Sequence, residues 1–447
     1  MRDLFVTAVV FGVLPFVFSR PYIGIYLWAW LGFMNPHRLC WGFAYDFPYA
    51  QIVAITILSA LLVSNEPKRI PWTRETVLLL VFTLWMLFTT FFSFYPDAAW
   101  QQWDKVWKII LMIYITLMVI NTRQKLEWLV WIIALSLGFY GVKGGIFTIV
   151  HGGVYNVMGP PGSFIGGNNE TALALIMTIP FMRYLQLQAK RVWIHQGLMA
   201  AMWLTGIAAI GSNSRGALVG MVAMGVFLWM KSRNRIFTLV AILAVVGAVA
   251  AIMPQQWYDR MATIETYDED RSAVGRVNAW WTAYNLAKDR VTGGGYETFQ
   301  RGTFKIYAPE PDYVHDAHSI YFETMGEHGF IGFSMFLLLA WFTWRSAARI
   351  RKQARHRPDI KWAGDLASMI QVSMVGYAAA GAFLGLAYFD LYYNLIAILV
   401  ICKMLVKESV ESALPVSDLR SEVDGNKGIL HGDGPDRNQA HNFMYPR

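Results

Sequence analysis

Apolar stretches suited to crossing a bilayer recur from one end of this chain to the other. They fall at residues 4–34, 50–64, 77–94, 106–121, 127–150, 171–187, 194–212, 216–230, 236–253, 320–343, 366–386 and 391–406. A helix needs roughly 20 mainly apolar residues to span the hydrocarbon core, and backbone in lipid must satisfy its own hydrogen bonds. The alternating pattern of a membrane barrel is missing. With 55% hydrophobic and 15% charged residues, the composition also excludes a soluble protein of this length. The expected fold is an all-α integral membrane protein with about 12 transmembrane helices. Arg20-Pro21 interrupts the first run, which is either one long or broken element or a hairpin. Met1-Arg2-Asp3 followed by Leu4 to Phe18 has the look of a signal peptide, but no small-residue cleavage site follows, so the segment reads as retained.

Lysine and arginine are spread unevenly over the loops. Alternate connections are rich in them: Lys68, Arg69 and Arg74; Arg123 and Lys125; Arg183, Lys190 and Arg191; Lys231, Arg233 and Arg235; and Arg345 through Lys361. Translocating positive charge is disfavoured, so these loops and the C-terminus belong in the cytoplasm. The connections at 95–105, 151–170, 212–215, 254–319 and 387–390 then face outward. That topology accounts for most of the net charge of +8, which needs no nucleic-acid partner. The chain divides into spans over 1–253, a periplasmic loop over 254–319, C-terminal spans over 320–407 and a polar tail over 408–447 that reads as disordered. Cys40 and Cys402 are too few for a disulfide framework or thiolate metal site.

Four outward features carry candidate chemistry. Gly159-Pro160-Pro161-Gly162 to Asn168-Asn169-Glu170 runs into a helix beginning near Thr171, so Asn168 and Asn169 serve as cap residues or as substrate contacts. Arg215, in Ser212-Asn213-Ser214-Arg215-Gly216, breaks the charge rule and is an anion binder or a snorkelling anchor. Arg276 opens an amphipathic stretch through Asn278, Trp280, Trp281 and Tyr284 that suits a helix on the membrane face, stopping at Thr292-Gly293-Gly294-Gly295. His315 and His318 precede the next apolar run, and a helix starting near Ala317 puts His318, Tyr321 and Phe322 on one face, with Glu323 and Glu327 as helix-face carboxylates. No HExxH or clustered ligand set accompanies them, which argues against a metal, whereas a neutral imidazole suits a general base. Lys143, inside an apolar run near its outward end, and Asp390, between the last two spans, are further substrate-contact candidates.

Taken together, Phe164 to Asn169, Ser212 to Gly216, Gly275-Arg276 with Trp280 and Gly293 to Tyr296, and Ala317 to Glu323 with Glu327 to Gly332 resemble the bacterial O-antigen ligase and polymerase family of membrane glycosyltransferases. The N-terminal region looks like the putative O-glycosylation ligases of exosortase-containing bacteria. The resemblance implies a GT-C-type fold with a large periplasmic helical loop in the inner membrane. It further implies an undecaprenyl pyrophosphate-linked glycan donor, a lipid A-core acceptor and no metal or other cofactor. His318 matches the family's essential histidine, Arg215 and Arg276 would stabilise the leaving pyrophosphate, and Asn168, Asn169, Lys143, His315, Tyr321, Glu323 and Asp390 are the candidate substrate contacts. Reading His318-Ser319 and Phe322-Glu323, the chain departs from the commoner family pattern at positions touching the acceptor. Transfer to a protein or to another glycan repeat is the nearest alternative; a polyprenyl-glycan flippase is the alternative from another class.

Overall fold

Proline has no N–H to continue a preceding helix and readily takes the first helical position, so Arg20-Pro21 should divide the first apolar run. In the computed structural model it does, giving α1 (Arg2–Ser19) and α2 (Pro21–Met34), which pack on each other. The structure describes residues 1–232 and 271–411, with isolated positions between them. Most of the expected span at 236–253, the expected loop over 259–270 and the tail from 412 onward lie outside the described residues.

The other expected runs each form a helix: α3 (Tyr49–Val63), α4 (Arg74–Phe91), α5 (Pro96–Val119), α6 (Arg123–Val150), α7 (Asn168–Gln188), α8 (Val192–Gly211) and α9 (Arg215–Lys231). The polar interval contributes α10 (Arg271–Asp289) and the short α11 (Arg301–Tyr307). Then follow α12 (Ile320–Ala354), α13 (Lys361–Gly381) and α14 (Asp390–Glu411). Among the described residues there is no strand, and α1, α4, α6, α8 and α12 are long and apolar enough to cross a membrane. The chain is a multi-pass helical membrane protein. Residues 1–405 form one unit; of the second, 406–447, the described part is the end of α14, where Lys407 pairs with Glu411 at 3.5 Å.

A helix that is apolar all round belongs inside a bundle, and α14 is such a helix. From Leu391 to Cys402 nearly every side chain is buried. Tyr392 stacks on Tyr377 of α13 and lies beside Phe336 of α12. Close helix approach in lipid favours small residues at the contact. In α6 a Cβ added at Gly145 would meet the Leu204 carbonyl oxygen of α8 at 2.2 Å, so only glycine allows this approach.

The helix ends set up the site. Asn168 Nδ2 donates to the Ser212 carbonyl at 2.8 Å, Val157 N to Gly211 O at 3.2 Å, and Phe94 N to Gly294 O at 2.9 Å. Ala387 N, between α13 and α14, donates to Glu323 Oε2 at 3.0 Å. The loops expected to face outward are therefore tied to one another at one end of the bundle.

Candidate functional site

Helix α10 holds the histidine loop by three contacts from one sequence motif. Gly275 leaves room for His315, whose Cδ2 would stand 2.8 Å from a Cβ there. One turn on, buried Asn278 donates through Nδ2 to the carbonyls of Glu310 and Tyr313, both at 2.9 Å, and accepts from Glu310 N at 3.0 Å. Trp280 Nε1 donates to Ala317 O at 2.8 Å while its ring stacks on Phe322 at 4.9 Å. A helix thus forms over the expected amphipathic stretch, and its Asn278 and Trp280 are spent on this loop. Trp281 and Tyr284 stay exposed.

Pinned at Ala317, the chain passes His318 with φ of 41°, a left-handed conformation that is costly for a residue with a Cβ. Helix α12 begins at Ile320, so His318 is not on its face with Tyr321 and Phe322 as the helical spacing suggested. Instead His318 Nδ1 lies 3.3 Å from Asp316 Oδ2. That contact places Asp316 beside Nδ1; a proton carried there would leave the Nε2 lone pair available. Burial pushes the imidazole below its ordinary range; Asp316 pulls it back up, and the Arg276 guanidinium and His315 add to the depression. His318 is therefore neutral at pH 7.

Below the histidine, Gly293-Gly294-Gly295 runs along α12. Gly294 N donates to Gly326 O and Gly295 N to Glu327 O, each at 2.9 Å. The helix kinks at Gly329, with φ of 66° and ψ of −174°, where a Cβ would come 2.1 Å from Val291 O. The Glu327 carboxylate is clamped by Glu297 N at 2.8 Å on Oε1 and by the Tyr388 hydroxyl on Oε2. Buried His328 meets Thr89 Oγ1 through Nδ1 at 2.6 Å and fixes the kink to α4.

Between these parts lies a cavity of about 290 Å³ whose polar lining includes Gln102, Glu297, Asp316, Glu323, Glu327 and Tyr388. Its burial, with Asp316 adding to it, raises the Glu297 carboxyl above the usual range. The Asp316 carboxylate belongs both to this lining and to the His318 contact, so one side chain separates the imidazole from a space large enough for a sugar ring.

The candidate residues separate into two groups. His318, Arg276, His315, Asp316 and Glu323 come together, and Glu170, the residue after Asn169, acts electrostatically on His318. Asn168 does not cap α7, whose cap is Gly167; its amide bridges to Ser212, bringing the turn before Arg215 alongside. Arg215 opens α9, and a Cβ added at the adjacent Gly216 would stand 3.3 Å from Ala380 O at the end of α13. The connection following α13 reaches Asp316 and Glu323 at Gly385, where a Cβ would stand 3.3 Å from Asp316 Oδ2. Three others point elsewhere. Lys143 lines an apolar groove with Leu135, Phe139 and Met182. Tyr321 donates its hydroxyl to Ala378 O at 2.9 Å. Asp390 faces α2 and α5 in a cavity of about 20 Å³ with Asn394 and Thr116. Asn169 remains half-buried beside Glu170.

Glu297, Gln102 and Tyr388 carried no signal of spacing, because they reach the cavity from three separate loops or helix ends. Asp316, between two histidines, did carry one. Among the described residues no three His, Cys, Asp or Glu side chains converge as a metal-binding group.

Residues 200–337 match the O-antigen ligase family. This match covers the Arg215 turn, α10, the triple-glycine loop, His318 and the Gly329 kink. Residues 1–190 match a family of unknown function, DUF5935, so Asn168 and Glu170 come to the site from outside the ligase-family segment. No curated protein matches the chain. The ligase-family match supports an O-antigen ligase or polymerase type of function, with a lipid-linked glycan and a membrane-bound acceptor as the implied partners.

Proposed function

We propose that the protein is a WaaL-type O-antigen ligase with a GT-C-type fold, transferring a glycan from undecaprenyl pyrophosphate to a lipid A-core sugar at the periplasmic face of the inner membrane. The observation that carries this reading is the His318 imidazole, held neutral by burial, 3.3 Å from an Asp316 carboxylate that lines a polar cavity, and within the field of Arg276. In the transfer, His318 Nε2 takes the proton of the acceptor hydroxyl as that oxygen bonds to the anomeric carbon. The bond from that carbon to the pyrophosphate oxygen breaks on the opposite face, inverting the centre. Arg276 and Arg215 offset the charge on the departing lipid pyrophosphate, the work a divalent ion does in other transferases. The cavity bounded by Glu297, Glu323 and Glu327 takes the acceptor sugar, whose hydroxyls can hydrogen-bond to those carboxyl groups. Asn168 and Asn169 flank the donor side.

Purified protein supplied with lipid-linked glycan and lipid A core should form the ligated product, and should do so in excess EDTA. His318→Ala should lower kcat by about a hundredfold to ten-thousandfold, and Arg276→Ala or Arg215→Ala by about a hundredfold or more. Transfer to an acceptor protein or glycan repeat but not to lipid A core would replace the ligase with one of those transferases. Full activity of His318→Ala would remove the histidine from the chemistry, and donor trapped on the cytoplasmic side in the variants would indicate a flippase.

A further inference from the structure

At the end of the bundle remote from His318, two cations converge on one neutral atom. Lys231 closes α9 and Arg351 lies in the last turn of α12. Lys231 Nζ donates to Gln371 Oε1 at 2.7 Å, and Arg351 Nη1 donates to the same oxygen at 2.8 Å. The Gln371 side chain is buried, and its Nε2 donates to Trp344 O at 3.2 Å, which fixes the direction of the shared oxygen. Two like charges that close together repel, and a single amide dipole does not neutralise them.

Several other cations of the bundle are paired with carboxylates. Lys403 and Arg74 meet Glu75, Lys125 meets Glu66, Arg123 meets Glu127 and Arg357 meets Asp359. Among the described residues no carboxylate lies within ion-pair distance of Lys231 or Arg351. Both are half-buried, so bulk water screens them less than it would a surface pair.

A second feature meets the first at Trp344. Lys231 Nζ sits over the Phe227 ring at 3.9 Å and over the Trp344 ring at 5.8 Å. Trp344 also lines an apolar groove of about 280 Å³ between α12 and α13, with Leu337, Ala340, Trp341, Met374 and Val375. The groove is open to the outside of the bundle, where Trp341 and Leu337 are exposed. A phosphate-sized anion beside the cations and a hydrocarbon chain in the groove would belong to one molecule.

We propose that this is a binding site for one anionic membrane phospholipid, its phosphate bridging Lys231 and Arg351 and one acyl chain lying in the groove beside Trp344. The charge selects the headgroup and the groove selects a lipid over free phosphate. The two cations lie away from the His318 cavity, and the proposal does not depend on the glycan-transfer reading.

The test is native mass spectrometry of the full chain released from micelles doped with phosphatidylglycerol, phosphatidylcholine or inorganic phosphate. The wild type should retain one phosphatidylglycerol in preference to phosphatidylcholine, and millimolar inorganic phosphate should not displace it. Replacing both cations, Lys231→Ala with Arg351→Ala, should weaken retention roughly thirtyfold, at about a fivefold loss for each cation near the membrane surface. Ala340→Trp, which fills the groove and leaves both charges, should weaken it as well. Arg349→Ala, which removes an exposed cation of the same helix, should leave it unchanged. Equal retention of the two lipids, as for two cations merely reaching toward the headgroups, would overturn the proposal. So would retention undiminished in Ala340→Trp, or displacement by inorganic phosphate. If the double variant does not fold, Ala340→Trp and the lipid comparison on the wild type still decide.

Discussion

At the scale of single residues, the site depends on holding a histidine where its backbone would not otherwise stay. A non-glycine residue at φ of 41° costs about 1–3 kcal/mol, and the cost is sustained by the Trp280 bond to Ala317 O and the Asp316 bond to Ala317 N at 2.9 Å. The pH dependence of transfer should follow from the same geometry. Because burial dominates and lowers the His318 pKa, the base form persists as pH falls through the ordinary imidazole value of about 6.5, and kcat/KM should decline only below it. Asp316 acts in the opposite sense, stabilising the imidazolium. Asp316→Asn should therefore move the acid limb of the kcat/KM profile to still lower pH while lowering the plateau through loss of orientation; a limb displaced to higher pH would contradict the assignment. The histidine itself was legible from His315-Asp316-Ala317-His318 ahead of an apolar run. Its backbone conformation was not, because the strain comes from an indole almost forty residues earlier in the chain.

At the scale of elements, glycine decides how α12 is built. Its first part, with Glu323 and Glu327, lines the cavity; its second part reads as a membrane span, and Gly329 joins them at positive φ. The apolar period placed a helix here and Gly293-Gly294-Gly295 marked a turn. That the turn would insert at the kink was not readable, since a glycine within a helical pattern is ordinarily only a weak spot. Gly329→Ala combines a backbone region essentially reserved for glycine, costing about 1–3 kcal/mol, with a 2.1 Å approach to Val291 O, and overpacking adds about 1–3 kcal/mol. The variant should show a clearly lower Tm in detergent. Gly12→Ala, in α1 with nothing within 4 Å of the added methyl, should hold or raise the Tm. Equal Tm values for the two would show that the kink is not held by backbone contact.

At the scale of the whole molecule, polar groups are sorted to the two ends of the bundle, and the two sets do different work. One end joins the loops around His318; the other ties helices together. There Glu75 of α4, wholly buried, accepts from Lys403 Nζ of α14 at 3.0 Å and from the Ser346 hydroxyl of α12, joining three helices distant in sequence. Alternating lysine and arginine in the loops told which connections share an end, but it named no partner for Glu75, which lies at the start of a helix where an acidic residue needs no further explanation. Removing one partner of a buried pair leaves an uncompensated charge, at about 3–5 kcal/mol when both groups are buried. Lys403 is 32% exposed, water can replace part of its contribution and Arg74 stays 3.6 Å from Glu75, so Lys403→Met should cost about 1–3 kcal/mol. Glu75→Gln, which retains a hydrogen-bonding group for Ser346 and buries no charge, should cost less. Because this contact lies at the opposite end from the cavity, the folded fraction of Lys403→Met should keep the wild-type kcat/KM for transfer while its Tm falls. A matching fall in kcat/KM would mean that the two ends are coupled through α12 and α14, the helices they share.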